Sequence, residues 1–305
     1  YLKEHNIKTL IHLGDVVDRR KFINFQTASL FRKHFFDVLW KEKIDTHIII
    51  GNHDTYFKNT NEVNAIENLY TSFDGVNEPF IYTKSKVVEI DGLPILFVPW
   101  ICDDNREHSM QMLNTAKAEI VMGHLEIKGI EMQNGVINEH GNSKSDFSRF
   151  ERVISGHFHK HTDDGQIMYC GAQYEMTWSD YKDPKGFHIF DTETREMTRI
   201  RNPYTIHKKL IYNDKDKDYT TMDLSEYNNH FIKLIVLNKT DDEKFDKFVE
   251  RLYNEITVHD LNIIEDYSDI KASVRDDIVE MGEDTVTFLN NYVDQLETDV
   301  NKTKL

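Results

Sequence analysis

Among its 305 residues the chain holds only two cysteines, Cys102 and Cys170, far apart and in no CxxC pair. That excludes a disulfide framework and a thiolate zinc site, and it fits a reducing compartment. No apolar run approaches the roughly 18 to 20 residues of a membrane helix, and the opening Tyr1-Leu2-Lys3-Glu4-His5 carries no apolar leader. A cytoplasmic location is therefore expected. Internal repeats and low-complexity tracts are also lacking. So is any basic excess: 37 Lys and Arg stand against 53 Asp and Glu, for a net charge of −16. Residues 206–305 hold 13 of the basic and 23 of the acidic residues, so −10, and the rest of the chain carries −6. A polyanion-binding protein is more usually basic, so this balance alone speaks against nucleic acid. What is present is an ordinary globular composition, 39% hydrophobic and 30% charged, with a length that suggests about two domains.

The first two-thirds alternate strand and helix. Lys8–Leu13 is a short apolar run ending at Gly14-Asp15. Residues 22–43 carry Ala28, Phe31, Phe35, Val38 and Leu39 at helical spacing. Strands are expected at His47–Ile50, Leu93–Val98, Ala118–Met122 and Val153-Ile154, with Ile167–Cys170 and Phe187–Phe190 as a closing pair. After Pro203 the texture changes. His230–Leu237 and Leu261–Ile264 read as strands around a helix at Asp241–Glu255, a small α+β unit with a linker near Asn213–Asp218. The tail over 272–305 reads as two helices. Ser273 and Asp276 cap the first, which carries Val274, Ile278 and Met281 and stops at Gly282. Asp284 caps the second, striped by Val286, Leu289, Val293, Leu296 and Val300. The expected domains are 1–205, 206–270 and 271–305.

Four short motifs fall where apolar strands stop: Gly14-Asp15-Val16-Val17-Asp18-Arg19, Gly51-Asn52-His53-Asp54, Gly123-His124, and Gly156-His157-Phe158-His159. In α/β folds ligands sit at the carboxyl ends of strands. Each motif sets glycine before a carboxylate, carboxamide or imidazole, so the backbone can turn tightly beside an ion. Oxygen and imidazole donors without thiolate suit manganese, iron or zinc with open coordination positions. An aspartate can bridge two such ions, which activate water and offset charge in an in-line attack at phosphorus.

In this order the motifs resemble the calcineurin-like metallophosphoesterase superfamily. Within it the chain is similar to the SbcD-type nuclease subunit of double-strand-break repair, in the form carried by large tailed phages. Val98-Pro99-Trp100, Tyr169-Cys170-Gly171 through Thr177-Trp178, Asp183-Pro184-Lys185-Gly186-Phe187 and Phe190-Asp191-Thr192-Glu193-Thr194 carry the same likeness. It is strong over 8–200 and architectural beyond. The resemblance implies a four-layer α/β/β/α sandwich with a small α+β capping domain and C-terminal helices. It implies two divalent ions, most fittingly manganese, with Asp15 bridging them. Asn52, His124 and His157 would complete one position and His159 would serve the other. His53 would sit beside the scissile phosphate, Asp18 and Asp54 would orient ligands, and Arg19 would contact phosphate. The implied partners are DNA and an SbcC-type ATPase of the structural-maintenance class, gripped by the tail helices in a two-plus-two assembly around a homodimer.

The resemblance also implies an Asp-x-His on an earlier strand, which this sequence does not contain. The expectation is that about 30 to 40 residues precede Tyr1; otherwise the product has one crippled metal position. Metal-dependent exonuclease and endonuclease action in recombination and repair is the leading expectation. Another phosphoesterase on the same fold, a protein phosphatase or small-substrate phosphodiesterase, is the second. A non-catalytic scaffold is the third. His12 reads as a hydrogen-bonded core histidine and His161 as solvated or supporting a ligand. Trp178 and Tyr174 read equally as base-stacking or as plain packing.

Overall fold

The computed structural model describes residues 1–70, 78–133 and 135–265. The tail helices expected over 271–305, with their partner-docking role, lie outside the described residues. The described residues divide into two compact units, one within 1–172 with 186–200, the other within 173–185 with 201–265.

In the first unit, β1 (Thr9–His12), β2 (Asp45–Ile49) and β3 (Phe80–Tyr82) form a parallel sheet in that order. A second sheet takes β4 (Lys86–Ile90), β5 (Leu93–Val98) and β6 (Ile120–Gly123). After a hairpin of β7 (Glu131–Gln133) and β8 (Val136–Ile137), it adds β9 (Arg152–Ser155), β10 (Thr162–Asp163) and β11 (Ile167–Tyr169). Its order is β10-β11-β9-β6-β5-β4, and β5, β6, β9 and β11 run parallel.

Strand alternation builds the layers, because successive side chains face opposite ways. Ile49 joins Ile95, Phe97, Ile120, Met122, Ile154 and Met168 in a core between the two sheets. Ile48 and Ile50 point the other way, to Phe36, Ile66 and Tyr70 on the helical layer. Leu96, Val98, Val121 and Val153 pack with Leu113 of the helix Arg106–Thr115 on the far side. Helix, sheet, sheet and helix thus stack as the four layers expected.

The long helix runs through Phe25–Phe31, a wide turn at Arg32–Phe36, and Asp37–Lys41. The wide turn inserts an extra residue into the helical period. Phe36 is therefore fully buried, while Val38, expected on the apolar stripe, is 47% exposed. The closing pair is corrected as well. Ile167–Tyr169 pairs with β9 and β10 in the large sheet. The other segment, β12 (Gly186–Phe190), instead forms a two-stranded sheet with β13 (Met197–Arg201). Asp191 fixes that turn by accepting from the backbone N–H groups of Glu193 and Thr194.

In the second unit β14 (His207–Asn213), β15 (His230–Asn238) and β16 (Val258–Ile264) form a parallel sheet. The helix Asp242–Glu255, capped by Asp241, lays Phe245, Phe248 and Leu252 on Leu210, Tyr212, Ile232, Leu234 and Val236. The linker expected near Asn213–Asp218 is instead an internal loop of this unit. Asp214 there accepts from the backbone of Thr240 and Asp241, tying β14 to the helix start. Residues 173–185 also pack here: Glu175 accepts from the N–H groups of Ile206 and His207, and buried Lys185 pairs with Asp180 and Asp183. Trp178 packs against the His207 ring, with centroids 4.5 Å apart, and under the Lys233 ammonium.

Candidate metal centre

All four motifs leave carboxyl ends of strands in the first unit. Val98, Gly123 and Ser155 stand in register, so His124 and Gly156-His157 leave the sheet side by side. From the facing sheet, β1 and β2 deliver Gly14-Asp15 and Gly51-Asn52. None of the four motif glycines leaves room for a Cβ, and two bear directly on the ligand loops. A Cβ on Gly14 would lie 2.8 Å from the Gly51 Cα, and one on Gly51 would collide with the Asp15 carboxylate. The ligand candidates themselves are held in left-handed backbone, with φ of 55° at Asp15 and 82° at His157. For residues with side chains that conformation is strained, and such strain gathers at functional sites.

Asp15, His124 and His157 each offer one ligand atom, and these lie within 4.8 Å of one another. His124 Nε2 is 3.1 Å from Asp15 Oδ2, 2.7 Å from Asn52 Oδ1 and 3.2 Å from His157 Nδ1. Asn52 Oδ1 is also 3.1 Å from His157 Nδ1. The other His124 nitrogen, Nδ1, is 2.7 Å from the Leu13 carbonyl. A carbonyl only accepts, so Nδ1 carries the hydrogen and Nε2 turns its lone pair inward. Four potential ligand atoms therefore face one point, where a single cation could meet them all. Ligands about 2.1 Å from an ion stand about 3 Å apart when adjacent. The donor set fits a divalent metal.

The electrostatics agree. Burial pushes the Asp15 carboxyl up, but the charges of His124, His53 and His157 and a hydrogen bond to His124 outweigh it and hold it well below the usual range. Burial lowers His124, yet the Asp15 charge and bonds to Asp15 and Leu13 leave it raised. A proton and a metal would therefore compete for the His124 Nε2 lone pair. Asp54 is buried behind them. Its carboxylate accepts from the N–H groups of Asp15, Val16, Val17 and Gly51 and so shapes the Asp15 loop. Burial and then the Asp15 charge raise it to about 7, against the pull of those backbone donors.

The remaining candidates fall around this group. The His53 N–H donates to Asp15 Oδ1, and its ring Nδ1 is 2.5 Å from the Asp18 carbonyl, so Nδ1 again carries the hydrogen. Asp18 acts here through its backbone, while its side chain is 75% exposed. His159 lies two residues beyond His157 but outside the three-residue group, and its carbonyl accepts from Ala172. Arg19 lies 3.8 Å from Asp18 and stacks over Phe22. His12 is corrected in part: it is half-buried and pushed down to about 4 by desolvation, but its buried Nδ1 finds no hydrogen-bond partner among the described residues. His161 bonds the Tyr169 carbonyl and faces His188 at 5.0 Å.

Sequence reasoning missed the Leu13 carbonyl that aims His124, and gave no role to Trp100, whose ring lies 5.4 Å from that of His157. A backbone carbonyl leaves no mark in a sequence. Trp100 did leave one, in Val98-Pro99-Trp100 at the end of β5.

Comparison with known proteins bears on the same residues. A solved archaeal phosphodiesterase aligns at 17% identity over 66% of this chain and 87% of its own, with a TM-score of 0.32, a likeness too distant to carry an argument. Exonuclease subunit 1 of Enterobacteria phage T4 is 31% identical over 298 residues, which is 97% of this chain and 83% of that protein. The sequence profile of the calcineurin-like phosphoesterases matches residues 1–161, a span that holds Asp15, Asn52, His53, His124, His157 and His159. By profile and by relative alike, the chain belongs to the calcineurin-like phosphoesterases.

Proposed function

We propose that the chain is the nuclease subunit of a DNA recombination and repair complex, hydrolysing phosphodiesters with two divalent ions, most fittingly manganese. The reading rests above all on the convergence of Asp15, His124 and His157 in a chain 31% identical to a phage exonuclease subunit. Asp15, Asn52, His124 and His157 would hold one ion, and Asp15 with His159 would contribute to the second. Such ions supply Lewis-acid chemistry, acidifying water and offsetting charge at phosphorus.

The chain's own residues do the rest. Asp54 fixes the loop that presents Asp15. Leu13 fixes the His124 tautomer. His53, with Nδ1 tied to the Asp18 carbonyl, would act through Nε2, which as an imidazolium could donate to the departing 3′-oxygen. A P–O bond forms from water, which gives up a proton to solvent, the P–O3′ bond breaks, and the 3′-oxygen takes the proton from His53, which is reprotonated from solvent. The partner in this reading is an SbcC-type ATPase, with two copies of each subunit.

The test is end-labelled linear DNA, a phosphopeptide and a cyclic nucleotide, each offered with manganese, and the DNA also with the ATPase and ATP. Cleavage of DNA alone, reduced about 100-fold or more in His53→Ala, is expected. Turnover of the phosphopeptide in preference to DNA would sink the nuclease reading. A second reading, a scaffold subunit with one metal position, is favoured by His159 lying outside the ligand group. Calorimetry showing a single ion per chain and no cleavage would establish it.

A further inference from the structure

Beside the metal centre the first unit exposes aromatic rings that the fold does not use. Phe22 is 66% exposed, Phe25 93%, Tyr56 42% and Phe57 47%. Phe22, Tyr56 and Phe57 stand on the two loops that carry the site, one after Asp15 and one after His53, while Phe25 opens the helix after the first; the bond from His53 to the Asp18 carbonyl links those loops. The cations are placed with the rings. The Arg19 guanidinium lies 5.3 Å from the Phe22 ring centre, and the Lys21 ammonium lies 5.9 Å from that of Tyr56. Tyr56 and Phe57 meet edge to face at 4.7 Å. Arg20 lies between Arg19 and Lys21 in sequence but is half-buried, with its Nη1 buried and meeting no hydrogen-bond acceptor among the described residues. Over Asp18–Phe22 three cations stand against one anion, in a chain whose net charge is −16.

We infer that this patch is a stacking platform for unpaired bases of a single strand, flanking the phosphate that is cut. Rings and guanidinium groups also serve protein interfaces, so the choice of ligand rests on charge: a cationic patch in an acidic chain calls for a polyanion. A strand that offers a flat base and an anionic phosphate at each step matches both components. The inference names the substrate form for the nuclease reading and rests on it for what is cut. It also reconciles the acidic chain with a nucleic-acid ligand: the positive charge is local and lies where the strand enters.

The platform makes binding depend on bases as well as on phosphates. Fluorescein-labelled oligothymidine and a matching abasic oligomer are titrated into the full chain in chelator, by anisotropy. The wild type is expected to prefer oligothymidine by about 5- to 100-fold. In the triple variant Phe22→Leu, Tyr56→Leu, Phe57→Leu the two affinities become equal; leucine keeps the apolar bulk without the stacking face. The inference is overturned if the variant keeps the preference. It is overturned too if the wild type shows none, or if sedimentation shows that the substitutions dissolve a dimer while the preference persists. Failure of the parent reading looks different: base-dependent binding stands, but no oligonucleotide is cleaved when metal is restored.

Discussion

His124 Nε2 has two competitors for its lone pair, a proton and a metal. Because Asp15 and Leu13 keep its proton affinity raised, metal binding at Nε2 competes with protonation. Titration calorimetry in buffers of different ionisation enthalpy is expected to show proton release, and affinity falling as pH falls. Asp54→Asn keeps every ligand but cannot accept all four backbone bonds. It is expected to weaken metal binding about 10- to 100-fold, read in the same calorimeter; an unchanged affinity would remove Asp54 from the role given to it. His188 offers an independent check on the first unit. Burial first, then the charges of His161 and Arg199, lower it from 6.5 to about 4. The folded state then binds fewer protons than the unfolded chain between those values. Its contribution is full above pH 6.5 and is lost as pH falls toward 4. Thermal midpoints of His188→Phe should fall less steeply across that window. Asp15, Asn52, His124 and His157 were legible in the sequence because each follows a glycine at the end of an apolar run. The left-handed backbone at Asp15 and His157 was not, since φ is set by the packing of two sheets and by no letter of the chain.

Elements were legible in proportion to their apolar content. The runs at β1, β2, β5, β6 and β9 announced themselves, and their ends located the site. Arg106–Thr115 did not, because it buries only Ser109 and Leu113 and presents no stripe. The short strand Phe80–Tyr82 was hidden by its length, and β14 by three basic residues in His207-Lys208-Lys209. Two substitutions probe elements directly. Gly51→Ala forces a methyl group into the Asp15 carboxylate. It should destabilise the fold by on the order of 3 kcal/mol and weaken metal binding with it, in denaturant melts with and without manganese. Asp241→Ala removes the side chain that accepts from the Lys244 N–H. It should cost about 1 kcal/mol in the second unit and leave metal affinity untouched.

At the scale of the whole molecule, the second unit begins at 201 and also takes in 173–185, a share that the change of texture after Pro203 does not mark. That strap is held by buried partners such as Glu175 and Lys185, which composition does not reveal. The two units have separate cores. Calorimetry is expected to resolve two transitions, with only the one belonging to the first unit rising on addition of metal, by about 2.7 kcal/mol at a hundredfold excess over Kd. A single transition that shifts as a whole would show the units to be coupled.

The position of Trp100 has a practical use. The chain has three tryptophans, Trp40, Trp100 and Trp178, and the Trp100 ring lies 5.4 Å from the ring of His157. Its emission therefore reports on the charge carried by that imidazole, and a paramagnetic ion held there would quench it. The protein supplies its own optical gauge of occupancy, without label or substrate, and Trp100→Phe provides the blank.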